Sequence, residues 1–192
     1  ADQYNALRVV QGLAADAAAA HERMTAGVEP VVRAARVMAV ALKEGRTVFA
    51  FGNGGSAADA QHFAAELVGR YEQERRGWPA VALTTDSSAL TAIGNDYGFD
   101  RVFARQIDAL GRPGDVALAI TTSGNSPNVV TAIAAANARG LVTIALTGRG
   151  GEAAKIAAHH VGVEEDRTPR VQEVHATLLH VMCELVEMEL EG

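Results

Sequence analysis

Phe51-Gly-Asn-Gly-Gly-Ser-Ala-Ala-Asp-Ala-Gln-His-Phe-Ala-Ala-Glu66 is the stretch on which the reading of this chain turns. The β-rich run Thr47-Val-Phe-Ala-Phe51 breaks at Gly52-Asn-Gly-Gly55, and an Ala-rich helical pattern follows at once. Ser56 reads as the helix N-cap, with Asp59 three residues on completing a capping box. A strand, a glycine turn and a helix N-terminus together make a concavity of backbone N–H groups suited to an anionic or hydroxyl-rich ligand. At 100° per residue, Asp59, His62 and Glu66 fall within an arc of about 60°, while Phe63, Ala64, Leu67 and Val68 take the other side. His62 and Glu66 are one turn apart, so both side chains can meet one ion or one substrate atom. Such a pair alone is more often solvated than ligating. Its neighbourhood matters here, because in parallel α/β sheets the end of the sheet that carries the glycine turn is where ligands bind.

Outward from this stretch, strand and helix alternate: 47–52 then 56–70, 80–84 then 87–95, 115–121 then 127–139. Runs at 142–147 and 159–163 flank a short helix near 152–157. Five short β-rich runs, each beside a cap or glycine signal, predict a parallel five-stranded sheet covered on both faces. Ahead of them, residues 2–26 and 29–44 read as two helices split by Gly27-Val-Glu-Pro30. The second is apolar over a broad surface (Val31, Val32, Ala35, Val37, Met38, Val40, Leu42), more than packing on one sheet requires, which suggests that subunits meet there. The expected organisation is a single domain, 1–192, with helices in 1–45 used in oligomer packing and the sheet and its helices in 46–192.

Composition agrees with an Ala/Val/Leu-rich α/β enzyme: of 192 residues, 48% are apolar, 21% charged and 5% aromatic. No apolar run reaches the ~18 residues of a membrane span, and the polar start Ala1-Asp-Gln-Tyr-Asn5 does not read as a secretory signal. A net charge of −6 without clustered Lys or Arg argues against duplex nucleic acid as a partner. The single cysteine, Cys183, reads as a buried thiol, and the expected compartment is the cytoplasm.

Two further sites carry chemistry. Thr121-Thr-Ser-Gly-Asn-Ser126 places four hydroxyls in six residues ahead of Pro127, a helix-first residue. Hydroxyls and free N–H groups at a helix N-terminus can hold a phosphate dianion without Lys or Arg. An ST-turn with an ordinary cap accounts for Ser126 and partly for Ser123, but not for all four. The last helix starts at Thr168-Pro169 and runs almost to the end. Its apolar face holds Val171, Val174, Leu178, Val181, Met182 and Leu185, with Gln172 at the flank. His180 lies opposite, with Glu173, Glu184 and Glu187; for His180 to do chemistry, that polar face must be covered. His175 reads as a core histidine, and His159 and His160 as structural.

The glycine stretch, Thr91-Ala-Ile-Gly-Asn-Asp-Tyr-Gly98, the hydroxyl loop, and Val171-Gln-Glu-Val-His175 with His180 together resemble the phosphoheptose isomerase family of sugar isomerase (SIS) domain proteins. The match runs in order through nearly the whole chain. The resemblance implies a three-layer αβα flavodoxin-like SIS fold with an N-terminal helical extension, assembled as a homotetramer with active sites at subunit contacts. It implies the aldose–ketose isomerisation of sedoheptulose 7-phosphate, a phosphorylated seven-carbon sugar, to D-glycero-D-manno-heptose 7-phosphate through an enediol, the first step toward nucleotide-activated heptose for bacterial surface glycans.

It also implies one zinc per subunit on His62, Glu66, Gln172 and His180. The substrate contacts implied are Asn53, Gly54, Gly55, Ser56, Glu66, Asn95, Asp96, Thr121, Thr122, Ser123, Ser126 and Gln172. Thr121 stands where many members are expected to have serine, and a hydroxyl survives. The chemistry suits Glu66 as the base at carbon and His180 as the proton shuttle at oxygen. Two alternatives stand against this: a non-catalytic SIS-domain regulator that binds a replication initiator protein, and an isomerase of another phosphosugar. Retention of all four ligand-type residues favours the isomerase.

Overall fold

The computed structural model describes residues 2–25 and 27–191, with side chains from Asn5 onward. Positions 1, 26 and 192, which the expected helix 2–26 and the expected domain 1–192 include, lie outside the described residues. Five strands form where the β-rich runs predict them: β1 (Val48–Gly52), β2 (Ala80–Ala82), β3 (Val116–Thr121), β4 (Val142–Thr147) and β5 (His159–Gly162). They make one parallel sheet in the order β2-β1-β3-β4-β5.

The strands serve two cores at once because successive side chains leave opposite faces of a pleated strand. Val48, Ala50, Val116, Leu118, Ile120, Ile144 and Leu146 enter one core; Phe49, Phe51, Ala117, Ala119 and Ala145 enter the other. On the first face lie α2 (Glu29–Lys43), α3 (Gly55–Val68) and α8 (Thr168–Glu191), which contribute Met38, Phe63, Leu67, Val174, Leu178 and Met182. On the second lie α5 (Ala104–Leu110), α6 (Pro127–Ala138) and α7 (Glu152–Ile156), contributing Ile107, Val129, Ile133 and Ala153. The result is the expected three-layer αβα sandwich. Helix α1 (Asp2–Met24) runs against α8, where His21 Nε2 lies 2.9 Å from the Thr177 hydroxyl and Arg170 donates to the Leu13 carbonyl at 2.7 Å. The surplus apolar surface expected on α2 is present: Val32 and Val40 are exposed while Val31, Met38 and Leu42 are buried.

Some local expectations are corrected. A 3₁₀ turn, Phe99–Arg101, and the whole of α5 occupy a segment for which the sequence pattern predicts no element. Val68, expected on the packed side of α3, is exposed at its last position. Glu187, expected on the solvated face of α8, is 1% exposed, because the 71–75 loop folds over it and supplies hydrogen-bond donors.

His175 is a core histidine as expected. Its Nε2 lies 2.9 Å from the Thr147 carbonyl, which can only accept, so Nε2 carries the proton; Nδ1 is buried without a partner. Burial pushes its pKa down from 6.5 to about 4, against the smaller upward pull of the Thr147 hydrogen bond. The unfolded chain therefore binds a proton near pH 6.5 that the folded chain refuses until about pH 4. Stability from this group is complete above pH 6.5 and declines as pH falls toward 4, by up to on the order of 3 kcal/mol. In urea titrations between about pH 7.5 and 5, His175→Gln should flatten the decline; a slope equal to the parent's would show that His175 does not cause it.

Candidate active site

The strand order decides where the loops meet. From β1 the chain goes to β2 on one side, then returns to β3 on the other, so the loops leaving β1 and β3 diverge at the C-terminal edge of the sheet. In doubly wound sheets that switch point is the ligand crevice. The loop after β1 holds Asn53, Gly54 and Gly55; the loop after β3 holds Thr121, Thr122, Ser123 and Ser126. The side-chain amides of Asn53 and Asn128 bond to each other reciprocally, both at 2.8 Å, and lock the two loops together. Asn128, buried in the first turn of α6, is a site-shaping residue that sequence reasoning missed.

At the glycine loop the helix starts earlier than predicted. The N-cap is Gly54, at φ +57°, and α3 begins at Gly55. Ser56 is a buried residue of the first turn, and its backbone N–H bonds to the Asn53 carbonyl at 3.0 Å. The predicted capping box is therefore absent: no side chain caps α3, and the N–H groups of Ser56, Ala57 and Ala58 bond instead to the carbonyls of Asn53 and Gly54.

The hydroxyl loop is built largely as expected. Thr121 is buried, Thr122 and Ser126 are half-buried, and Ser123 is exposed. Ser126 occupies the N-cap position of α6, yet its hydroxyl makes no cap hydrogen bond; it lies 3.2 Å from the Thr121 hydroxyl. An ordinary cap therefore does not account for it. The Gly124 N–H donates to Thr121 Oγ1 at 3.2 Å and the Asn125 N–H to Ser123 Oγ at 3.1 Å, so the loop curls around its own hydroxyls. Its outer side is braced by the segment after β4: Gly148 N–H donates to the Thr122 carbonyl, Ala153 N–H to the Gly124 carbonyl and Glu152 N–H to Asn125 Oδ1. Gly124, at φ +70°, presses on Gly150 and Gly151 so closely that an added Cβ would come within 1.6 Å of the Gly150 carbonyl oxygen.

Beside this crevice, α3 and α8 bring three ligand-type side chains together. His62 Nε2 lies 2.9 Å from Glu66 Oε1 and 3.4 Å from His180 Nε2. Ligand atoms of all three residues fall within 4.8 Å of one another. His180 is half-buried, its ring edge-on to His62 at 4.9 Å, so the polar face of α8 is covered here by α3. Tetrahedral coordination at about 2.05 Å places two imidazole nitrogens about 3.3 Å apart. The donor set and spacing therefore fit a divalent transition ion such as zinc. Asp59 lines the same cleft; burial raises its pKa, His62 opposes that, and its Oδ2 is buried without a partner. Cys183 also lines it, and burial first, then the nearby Glu66 and Glu187 charges, pushes its thiol up to about 12. This is the buried thiol expected from the sequence, and burial of this kind makes it inert.

Gln172, Asn95 and Asp96 complete the predicted site residues. The Gln172 amide lies over the glycine loop, where an added Cβ at Gly55 would stand 2.5 Å from its Nε2. It sits two helical turns before His180 and connects the crevice to α8. Asn95 and Asp96 are exposed near the end of α4 (Ser87–Tyr97), bonded to each other at 2.9 Å and to neither loop. None of the residues of α4 is buried, although Leu90 and Ile93 rest partly on the second core.

A family model for the SIS domain matches residues 14–148. A phosphoheptose isomerase of Solidesulfovibrio magneticus is 56% identical over 184 residues, covering 95% of this chain and 90% of that one. One from Aquifex aeolicus is 59% identical over 160 residues, covering 83% and 84%. The solved structure of a phosphoheptose isomerase from Neisseria gonorrhoeae superposes with a TM-score of 0.90 at 48% identity, over 95% of this chain and 98% of that one.

Proposed function

Because the chain belongs to the SIS-domain family, among its phosphoheptose isomerases, we infer that it is an aldose–ketose isomerase that converts sedoheptulose 7-phosphate to D-glycero-D-manno-heptose 7-phosphate. That reaction supplies the heptose committed to nucleotide activation. The observation that carries the chemistry is the convergence of His62, Glu66 and His180 beside a crevice lined by hydroxyls. A regulator that only binds a sugar phosphate needs the hydroxyls but not the triad.

In this reading the phosphate sits on Thr121, Thr122, Ser123 and Ser126 at the N-terminus of α6, where hydroxyls and the helix dipole replace basic side chains. Asn53, Gly54, Gly55, Ser56 and Gln172 flank the sugar chain, and Asn95 and Asp96 reach its hydroxyls from α4. Glu66 removes a proton from C1 of the ketose while the C2 oxygen gains one through His180, giving the enediol. Return of a proton to C2 and loss of one from O1 complete the aldose. Glu66 can do this with Oε1 engaged by His62, because a carboxylate has a second oxygen to take the proton. His62, Glu66 and His180 would hold a zinc ion, with Gln172 as the fourth candidate, and such an ion polarises the substrate carbonyl.

The homotetramer belongs to the same proposal. It is supported by the exposed Leu7, Val9, Val10 and Leu13 of α1, Val32 and Val40 of α2, and the poorly covered α4. No described helix is long and apolar enough to cross a membrane; a cytoplasmic site of action is part of the proposal.

Incubating the purified protein with sedoheptulose 7-phosphate, with and without a chelator, and following the products by NMR tests the reading. Appearance of the aldose heptose, suppressed by chelation and restored by zinc, is expected; return of unchanged ketose under all conditions would refute it. Ser123→Ala should raise KM by roughly 10- to 100-fold, the worth of one hydrogen bond to a charged group, with kcat nearly unchanged. An effect confined to kcat would contradict the phosphate role.

A further inference from the structure

Directly behind the proposed proton-transfer pair, a buried ionic assembly joins the end of α3 to α8. Glu187 and Arg75 meet at 2.9 Å with side chains 2% and 1% exposed. Breaking such a buried pair leaves an uncompensated charge, so it persists only where its other hydrogen-bonding capacity is satisfied. Here it is. The Glu187 carboxylate also accepts the backbone N–H groups of Tyr71, Glu72 and Gln73, at 3.1, 3.2 and 3.0 Å.

Arg75 donates to the carbonyls of Glu66 at 2.9 Å, Leu67 at 3.1 Å, Gly69 at 3.3 Å and Arg76 at 3.1 Å. Its guanidinium lies 3.6 Å from the centroid of the Trp78 ring. The carbonyls of Glu66 and Gly69 would otherwise lack partners at the end of α3, whereas that of Leu67 also accepts the Trp78 N–H at 2.9 Å.

A cap for α3 explains the contacts with Leu67, Gly69 and Glu66, the last of which also ties the main chain of the proposed base to Arg75; one feature exceeds it. The carboxylate fixes the backbone of Tyr71, whose ring packs on the His180 imidazole with centroids 5.6 Å apart and planes inclined at 35°. One ion pair thus holds both members of the pair: Glu66 through its main chain, His180 through an aromatic neighbour. We infer that Glu187, Arg75 and Tyr71 form a positioning device that sets the geometry between the Glu66 carboxylate and the His180 imidazole.

The inference rests on the reading of Glu66 and His180 as the proton-transfer pair. The role of Tyr71 is that of a wall: it limits imidazole rotation and needs a ring but no hydroxyl. Misplacing a reacting group by about 1 Å can lower a rate about 100-fold without weakening substrate binding. The device should therefore act on kcat and not on KM, because the phosphate contacts lie elsewhere.

The test is steady-state kinetics on sedoheptulose 7-phosphate for Tyr71→Ala, Tyr71→Phe, His180→Gln and the double variant Tyr71→Ala/His180→Gln, each checked for native circular dichroism. Tyr71→Phe should stay within about twofold of the parent, whereas Tyr71→Ala should lower kcat roughly 10- to 100-fold with KM within about twofold. In the His180→Gln background, Tyr71→Ala should add less than about twofold, since the group it positions is gone. Should Tyr71→Ala not fold, Tyr71→Leu keeps the bulk, removes the planar ring and carries the same expectation. Parental kcat in the folded variant lacking the ring, or a full multiplicative loss in the double variant, overturns the inference while leaving the Glu66–His180 reading intact. A parental rate in His180→Gln removes both.

Discussion

Glu66→Gln should stop turnover of sedoheptulose 7-phosphate, with kcat falling by roughly 10²- to 10⁴-fold, the contribution of a positioned general base. The substitution preserves size and one carbonyl oxygen but removes the carboxylate proposed to take the proton. Glu66 is half-buried on α3, one turn from His62 and opposite His180, so little rearrangement of the fold is expected. The decisive readout is isotopic. In D2O the parent should place deuterium at C2 of the aldose and return some to C1 of the ketose, and Glu66→Gln should do neither. Parental exchange in the variant would remove Glu66 as the base. Zinc content measured on the same preparation separates two causes of failure: a zinc-loaded but inactive variant has lost the base, while a zinc-free one has lost a ligand as well.

His180→Gln is expected to lower kcat by roughly 10²-fold or more, in the range of an acid–base group. Glutamine can still donate a hydrogen bond but cannot pass a proton at neutral pH. The imidazole is 3.4 Å from His62 and packed against Tyr71, so it is not a solvated surface histidine. A loss below about threefold in kcat would return it to a packing role. The contrast with Ser123→Ala is diagnostic: loss at His180 should appear in kcat, and loss at the hydroxyl loop in KM.

The sheet was legible because each strand carries two signals, a run of Val, Ile, Ala and Phe and a following turn rich in glycine or hydroxyls. The triad was legible through helical spacing alone for His62 and Glu66. His180 needed the resemblance, since no periodicity shows which helix will cover the polar face of α8. Helix α5 escaped notice because its seven residues bury only Ala104 and Ile107, too few points to define a period. Glu187 was misplaced for a different reason. A helical wheel sees α8 only, and the donors that allow a carboxylate to be buried come from a loop over a hundred residues away in sequence. Asn128 was hidden in the same way, its partner being an amide on another strand's loop. Ser56 was assigned as a cap because serine usually is one; the positive φ of Gly54 moved the helix start ahead of it.

The contact of Gly124 with Gly150 and Gly151 bears on how such an enzyme could be adapted to new sugars. Two stretches of main chain touching without side chains between them behave as a rigid stop: no side chain added at Gly124 fits without displacing the Gly150-Gly151 backbone that leads into α7. With that loop holding the phosphate, as proposed, adaptation to a different chain length would have to leave it fixed and work from other parts of the site.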